Sequence, residues 1–121
     1  LRVLVVDDEE DSRELMATIL RRAGADVACA SGSRAALELF GRWTPDVVVS
    51  DLAMPGGDGC ELVSEIRARD SSIAALAVSG FTADRDTDRA LAAGFDVHVG
   101  KPIDAAELVE AVHEAARLRH H

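Results

Sequence analysis

Four polar residues that could do chemistry each stand where a short apolar segment ends. The residues are Asp8, Asp51, Ser79 and Lys101, and the apolar segments before them are 3–6, 47–50, 74–78 and 97–99. Carboxylates bind metal ions, and hydroxyl and ammonium groups donate to phosphoryl oxygens. The shared placement predicts that the four side chains form one site.

The carboxylates predict a divalent metal in that site. Asp7, Asp8 and Asp51 would repel one another in one crevice, and a cation between them removes the repulsion. Oxygen ligands without a nearby His or Cys favour Mg²⁺, which keeps several waters and is often completed by phosphate oxygens. Lys101 adds a separate positive charge and Ser79 a hydroxyl donor. The set therefore fits a phosphoryl group.

One of these carboxylates is a candidate nucleophile. A carboxylate can accept a phosphoryl group as an acyl phosphate while a metal ion and a lysine neutralise the charge on the transferred oxygens. Asp7 and Asp8 are adjacent and suited to holding the metal, whereas Asp51 stands alone. Asp51 is therefore the predicted phosphoacceptor.

The apolar segments alternate with segments of helical periodicity. Continuous apolarity is typical of strands buried on both faces of a parallel sheet, although periodicity alone also allows short buried helices. In the first helix the apolar stripe comprises Leu15, Met16, Ile19, Leu20 and Ala23. The predicted elements are β1 near 2–6, α1 near 12–23, β2 near 26–30, α2 near 34–42, β3 near 47–50, α3 near 59–69, β4 near 74–78, α4 near 84–93, β5 near 97–99 and α5 near 105–118. This alternation predicts a doubly wound α/β sheet with its site at the carboxyl ends of the strands.

Helix start and stop signals agree with these elements. Asp11, Asp58 and Asp104 each precede a Glu at the capping-box distance. Gly24 and Gly94 follow predicted helix ends, where a left-handed residue is favoured.

The site residues lie in segments that resemble the receiver domain of two-component response regulators. The matching segments are 5–9, 50–59, 79–80 and 101–102, and the resemblance covers essentially the whole chain. The pattern Asp-x-x-Met-Pro-x-x-Asp-Gly at 51–59 is strongly diagnostic. The resemblance implies one receiver domain over 1–121, with a flavodoxin-like five-stranded parallel sheet in the order 2-1-3-4-5 flanked by five helices.

The resemblance also implies how metal and phosphoryl group are held. Asp51 would accept the phosphoryl group from a phosphohistidine. Asp8, Asp51 and the backbone carbonyl of Ala53 would bind Mg²⁺ directly, and Asp7 would act mainly through water. Mn²⁺ is expected to substitute for Mg²⁺.

A second group of residues would report the phosphoryl group. Lys101 would pair with it, Ser79 would be the switch hydroxyl, and the Lys101-Pro102 bond would be cis. The family usually carries Tyr or Phe three residues before the lysine, and this chain has His98. Both nitrogens of a buried imidazole need a polar partner, so we expect His98 to swing less than an aromatic ring, or in a more pH-sensitive way.

Partners follow from the same resemblance. The domain is expected to be phosphorylated by a sensor histidine kinase or a histidine phosphotransfer domain and to signal through its α4–β5–α5 face, which could also form a homodimer. We expect a cytoplasmic domain that phosphorylates and dephosphorylates itself rather than a turnover enzyme. The segment 94–98, with His98, resembles receivers fused to hybrid sensor histidine kinases.

Composition limits the remaining functions. At 121 residues the chain has the size of one domain, and its formal charge of −9 argues against binding nucleic acid. No stretch is long enough for a transmembrane helix. Cys29 and Cys60 have no metal-binding spacing and are expected to be free thiols. Leu1 is not an initiator Met, and we expect the chain to be part of a longer protein.

Three alternatives remain open at this point. A haloacid-dehalogenase-type phosphatase also uses an Asp nucleophile with Mg²⁺ and Lys. Its signature, however, is Asp-x-Asp, and here the order is Asp7-Asp8-Glu9. A flavodoxin would need a first loop that binds phosphate, which Asp7 and Asp8 would repel. A degenerate receiver would act only as an interaction domain, independently of phosphorylation.

Overall fold

The sheet has the predicted strand order. The computed structural model describes residues 1–52, 59–80 and 84–119, with backbone only for 84–87. The elements are β1 Arg2–Val6, α1 Glu10–Arg22, β2 Asp26–Ala30, α2 Ser33–Phe40, β3 Val47–Asp51, α3 Gly59–Arg69, β4 Ala74–Ser79, α4 Asp84–Ala93, β5 Val97–Gly100 and α5 Ala105–Arg119. The strands pair in parallel in the order β2-β1-β3-β4-β5. This confirms the predicted flavodoxin-like fold.

Alternate residues of the central strands bury opposite faces of the sheet. Val3 and Val5 of β1 pack with Met16 of α1 and Leu108 of α5. Leu4, the residue between them, belongs to the core on the other face, which α2 and α3 cover. Because helices cover both faces, β1, β3 and β4 have continuous apolar sequences, as expected for a buried parallel sheet.

Several predicted boundaries are wrong by one or two residues. β3 includes Asp51 and β4 includes Ser79, so both polar residues belong to the sheet ladder. α2 ends at Phe40, before the predicted end at 42. In α1 the predicted stripe is only partly correct, because Leu15 is 48% exposed while Ala17 is buried.

The predicted cap of α1 is also wrong. The helix begins at Glu10, so Asp11 lies inside the first turn, where the helix dipole stabilises a carboxylate. The N-cap Glu9 makes no side-chain cap; its amide instead donates to Asp7 Oδ1 at 2.9 Å. The start of α1 is therefore set by a carboxylate of the candidate site.

Other predicted helix ends are confirmed. Asp104 caps α5, because its Oδ1 accepts the amide of Glu107 at 2.9 Å. Gly24 and Gly94 have φ values of 97° and 120°, the left-handed conformation that favours glycine after a helix. The predicted cap Asp58 lies outside the described residues. In the described part of the chain, none of the helices has the length and apolarity needed to span a membrane.

Candidate functional site

The ends of β1 and β3 bring three carboxylates together. These strands are neighbours, with Val6 paired to Ser50, and Asp7 and Asp51 follow the paired residues. Asp7 is fully buried and Asp51 is 7% exposed, whereas Asp8 is exposed to solvent. One oxygen from each of Asp7, Asp8 and Asp51 lies within 4.8 Å of the others. The strand ends thus hold the predicted acidic group at one edge of the sheet.

Lys101 enters this acidic group from the end of β5. Its backbone amide donates to the Ser79 carbonyl at 2.8 Å, which extends the pairing of β4 and β5 by one bond. Its Nζ lies 3.2 Å from Asp51 Oδ2 and 3.6 Å from Asp7 Oδ2. The peptide bond from Lys101 to Pro102 is cis, as expected. One ammonium group therefore pairs with two buried carboxylates.

The pKa of Lys101 reflects these neighbours. Partial burial on its own would lower the pKa of the ammonium group, because burial penalises the charged form. The negative charges of Asp51 and Asp7, with the hydrogen bond to Asp51 and a smaller attraction to Glu9, together outweigh burial and raise the pKa above 10.5. Lys101 is therefore positively charged at neutral pH.

Backbone contacts hold Asp7 in place. Its Oδ1 accepts the Glu9 amide, and its backbone carbonyl accepts a hydrogen bond from Arg13 Nη1 at 2.9 Å. Among the described residues, Asp7 Oδ2 is buried without a hydrogen-bond partner and has only the ion pair with Lys101. Arg13 was not predicted from the sequence, since nothing in its position marked it as a support for the first loop.

The acidic group fits a hard divalent cation. Three carboxylates within 4.8 Å of one another supply oxygen ligands, and Asp7 Oδ2 is a buried acceptor in need of a donor or a cation. Asp8 is the most exposed of the three, so an ion can reach the group from solvent. The predicted carbonyl ligand Ala53 lies outside the described residues.

Ser79 and His98 contact each other beside this group. Ser79 is the last residue of β4 and is 5% exposed. Its Oγ lies 2.9 Å from Nε2 of His98, which is half-buried on the adjacent strand β5. The two residues predicted to act as a switch are therefore joined by a hydrogen bond.

Gly59 allows α3 to begin directly against the end of β3. Its amide donates to the Leu52 carbonyl at 3.1 Å. A Cβ at this position would overlap with the backbone carbonyl of Asp51 and lie 3.0 Å from Ser50 Oγ. The buried Ser50 hydroxyl in turn donates to that same carbonyl at 3.0 Å. The pattern at 51–59 identified Gly59, but the supporting role of Ser50 was missed.

Neither cysteine is a member of the acidic group, which consists of Asp7, Asp8 and Asp51. Cys29 is exposed on β2, and Cys60 is buried near the start of α3, where it packs with Leu52 and Val63. Within the described residues neither cysteine forms a disulfide bond, in agreement with the prediction.

Comparisons with known proteins agree with this geometry. The family model for the response regulator receiver domain matches residues 3–113. A 14.6 kDa protein encoded in the sodA1 3′ region of Leptolyngbya boryana is 37% identical, over 93% of this chain and 87% of its own. The regulatory protein AtoC of Escherichia coli is 33% identical over 98% of this chain, which spans 26% of AtoC.

A solved structure has the same fold. The chemotaxis protein CheY4 of Vibrio cholerae is 27% identical, has a TM-score of 0.90, and matches over 94% of this chain and 97% of that one. The family match covers β1 from Val3 onward, the other four strands and most of α5, and it includes the acidic group, Lys101 and Ser79. The chain therefore belongs to the response regulator receiver domain family of two-component signalling.

Proposed function

We propose that this domain accepts a phosphoryl group from a phosphohistidine onto Asp51 in a reaction that depends on Mg²⁺. The observation that carries the proposal is the contact of Lys101 Nζ with Asp51 Oδ2 at 3.2 Å, beside the carboxylates of Asp7 and Asp8. An aspartate with a permanent cation on one oxygen and a metal-binding group next to it is suited to receive phosphate. Receiver domains are phosphorylated by histidine kinases, and the proposed donor is such a kinase or a histidine phosphotransfer domain.

The proposed transfer is a direct displacement at phosphorus. A carboxylate oxygen of Asp51 forms the new P–O bond while the P–N bond of the phosphohistidine breaks, and the leaving imidazole nitrogen takes a proton. Lys101 balances negative charge on the transferred oxygens, and its raised pKa keeps it charged for that purpose. The Ser79 hydroxyl donates to a phosphoryl oxygen once transfer is complete. When water attacks the phosphorus of the acyl phosphate, the P–O bond to Asp51 breaks, inorganic phosphate leaves and the carboxylate is restored.

We propose that Asp8 and Asp51 bind the metal directly, with the carbonyl of Ala53, and that Asp7 acts mainly through water. When bound, Mg²⁺ would neutralise charge on the phosphoryl oxygens. Asp7 suits a supporting role because its Oδ1 already accepts the Glu9 amide, while its Oδ2, 3.6 Å from Lys101 Nζ, can still accept a hydrogen bond from a metal-bound water. Mn²⁺ is proposed to substitute, since it also accepts oxygen ligands.

We propose that the domain contacts its signalling partners through the face formed by α4, β5 and α5, the output face. Ser79 at the end of β4 contacts His98 on β5, so a change at the hydroxyl reaches this face in one step. The face is also the proposed surface for a homodimer. The formal charge of −9 supports a role without direct nucleic-acid contact. We also propose that the domain acts in the cytoplasm and is one module of a hybrid histidine kinase. Sequencing the gene on both sides of this segment would test whether a histidine kinase is encoded next to it.

Labelling with acetyl phosphate or a phosphorylated kinase domain tests the proposed function. The parent should be labelled with Mg²⁺ and not after chelation. Asp51→Asn should lose the label, whereas Asp26→Asn, at an exposed carboxylate of β2, should keep it. Equal labelling of Asp51→Asn, or labelling that is insensitive to chelation, would refute the assignment.

A further inference from the structure

His98 makes a contact that a phenylalanine at its position could not make. β4 and β5 pair in parallel with Ala77 opposite His98 and Ser79 opposite Gly100. This register brings Nε2 of the imidazole to 2.9 Å from Ser79 Oγ. The length is that of a direct hydrogen bond, and the carbon edge of a phenyl ring offers neither a donor nor an acceptor for it.

The contact involves the hydroxyl that the proposed function assigns to the phosphoryl group. Rotation about χ1 carries the Ser79 oxygen from one side to the other, and this rotation breaks the contact with Nε2 whichever of the two groups donates the hydrogen. Toward β5 its partner is His98, and toward the acidic group its partner would be a phosphoryl oxygen on Asp51. Because Ser79 is 5% exposed, water does not readily replace a lost partner. A bond to the imidazole therefore opposes rotation of the hydroxyl toward Asp51.

We propose that His98 is a positioning residue that holds the Ser79 hydroxyl on the β5 side in the unphosphorylated domain. This inference rests on the proposed phosphorylation of Asp51. Loading of the site then requires the Ser79–His98 hydrogen bond to break, so the bond biases the domain toward its resting state. A ligand shifts such an equilibrium only by its differential affinity for the two states.

The released ring has space on the outer side of β5. His98 lines an open groove of about 580 Å³ between β5 and α5, together with Glu107, Glu110 and the exposed His113. Carboxylates on this wall can accept a hydrogen bond from an imidazole N–H. Breaking the bond to Ser79 thus changes which α5 side chains the imidazole of His98 can contact in this groove.

Beryllofluoride, which occupies a phosphoryl site without covalent transfer, is the probe for this inference. Its affinity is measured at saturating Mg²⁺ for the parent, His98→Phe, Ser79→Ala and the double variant. His98→Phe should bind beryllofluoride about two- to tenfold more tightly, the range expected for removal of one competing hydrogen bond. The gain should vanish in the Ser79→Ala background, since the competing bond is already absent there.

His113→Phe serves as the matched control, because it changes the other histidine of the groove and should leave the affinity unchanged. Unchanged or weaker binding by His98→Phe, or an equal gain in both backgrounds, would overturn the inference. If the parent itself does not bind beryllofluoride, or Asp51→Asn binds it equally well, the proposed function fails instead.

The ¹⁵N signals of the imidazole provide a test that does not depend on the fold of a His98 variant. In the unsubstituted chain, the Nε2 signal of His98 should shift when beryllofluoride and Mg²⁺ are bound. The Ser79→Ala variant should show a comparably shifted Nε2 signal before the probe is added. An Nε2 signal that is identical with and without the probe at full occupancy would contradict the inference.

Discussion

Lys101 and Asp51, although 50 residues apart in sequence, are in contact through Nζ and Oδ2 at 3.2 Å. The same ammonium group lies 3.6 Å from Asp7 Oδ2, so one cation pairs with the proposed phosphoacceptor and with a second buried carboxylate. Lys101 is the only lysine of the chain, which also has no tyrosine. The loss of its charge in alkali is therefore separate from any other lysine or tyrosine titration, because the chain has none.

The first prediction uses this separation. Because the folded pKa of Lys101 lies above its ordinary value of 10.5, its contribution to stability is complete below pH 10.5 and is lost as the pH rises through the raised pKa. In chelated buffer, Lys101→Met should be less stable than the parent at neutral pH, and the gap should close in alkali. Urea denaturation below and above pH 10.5 measures this difference in the free energy of unfolding. A stability difference that stays constant with pH would contradict a contribution of the Lys101 ion pairs to stability.

The second prediction separates the two adjacent carboxylates. Asp8 is exposed and adds repulsion to the acidic group, so metal-free Asp8→Ala should be as stable as the parent or more stable, while Mg²⁺ binding is lost. Asp7→Ala removes the acceptor of the Glu9 amide and should cost about 1–3 kcal/mol in the metal-free domain. Thermal melting with and without Mg²⁺ tests both variants. Marked destabilisation of metal-free Asp8→Ala would mean that its carboxylate has a structural role.

The third prediction concerns the close approach of α3 to β3. Gly59→Ala places a methyl group against the Asp51 carbonyl and Ser50 Oγ and should destabilise the domain by about 1–3 kcal/mol, as overpacking does. Gly32→Ala is the matched control, because a Cβ there meets no atom within 4 Å. Chemical denaturation compares the two. Equal stability of Gly59→Ala and the parent would show that the approach can relax at little cost.

Sequence patterns predicted the parts of the fold that depend on local signals. The runs of valines in β1 and β3 predicted the buried strands, and Asp104 predicted the start of α5. Both features depend on neighbours within a few residues of the sequence. Asp11 failed as a cap because the Asp7 carboxylate already binds the Glu9 amide and α1 starts earlier. A local capping pattern does not include that competing partner.

Contacts between distant segments could not be predicted in the same way. The Ser79–His98 hydrogen bond depends on the register of β4 and β5 and on side-chain rotamers, which residue types alone do not determine. The resemblance placed both residues near a switch but gave no contact between them. The ion pairs of Asp96 were missed as well, because no motif marks a residue whose partners come from α3 and α5.

The fourth prediction tests those ion pairs. Asp96 is 10% exposed and accepts from Arg67 Nη2 and Arg119 Nε, each at 2.8 Å, and from the Ala75 amide at 2.9 Å. Arg67 also donates to the Gly94 carbonyl, so the network joins α3, α5 and the starts of β4 and β5.

Asp96→Ala removes a carboxylate that two arginines and a backbone amide share and should cost about 3 kcal/mol. Glu65→Ala removes an exposed i,i+4 pair with Arg69 and should change stability by less than about 0.5 kcal/mol. Urea denaturation of the two variants provides the comparison. A loss in Asp96→Ala no larger than that in Glu65→Ala would show that the network adds little to stability.

The most direct measurement locates the phosphoryl group itself. The domain is incubated with acetyl phosphate and Mg²⁺, the acyl phosphate is reduced with borohydride, and the converted residue is identified by peptide mass spectrometry. We expect conversion of Asp51 alone, dependent on Mg²⁺ and reduced in Lys101→Met. Conversion of Asp7 or Asp8 in place of Asp51, or no acyl phosphate at any aspartate, would contradict it.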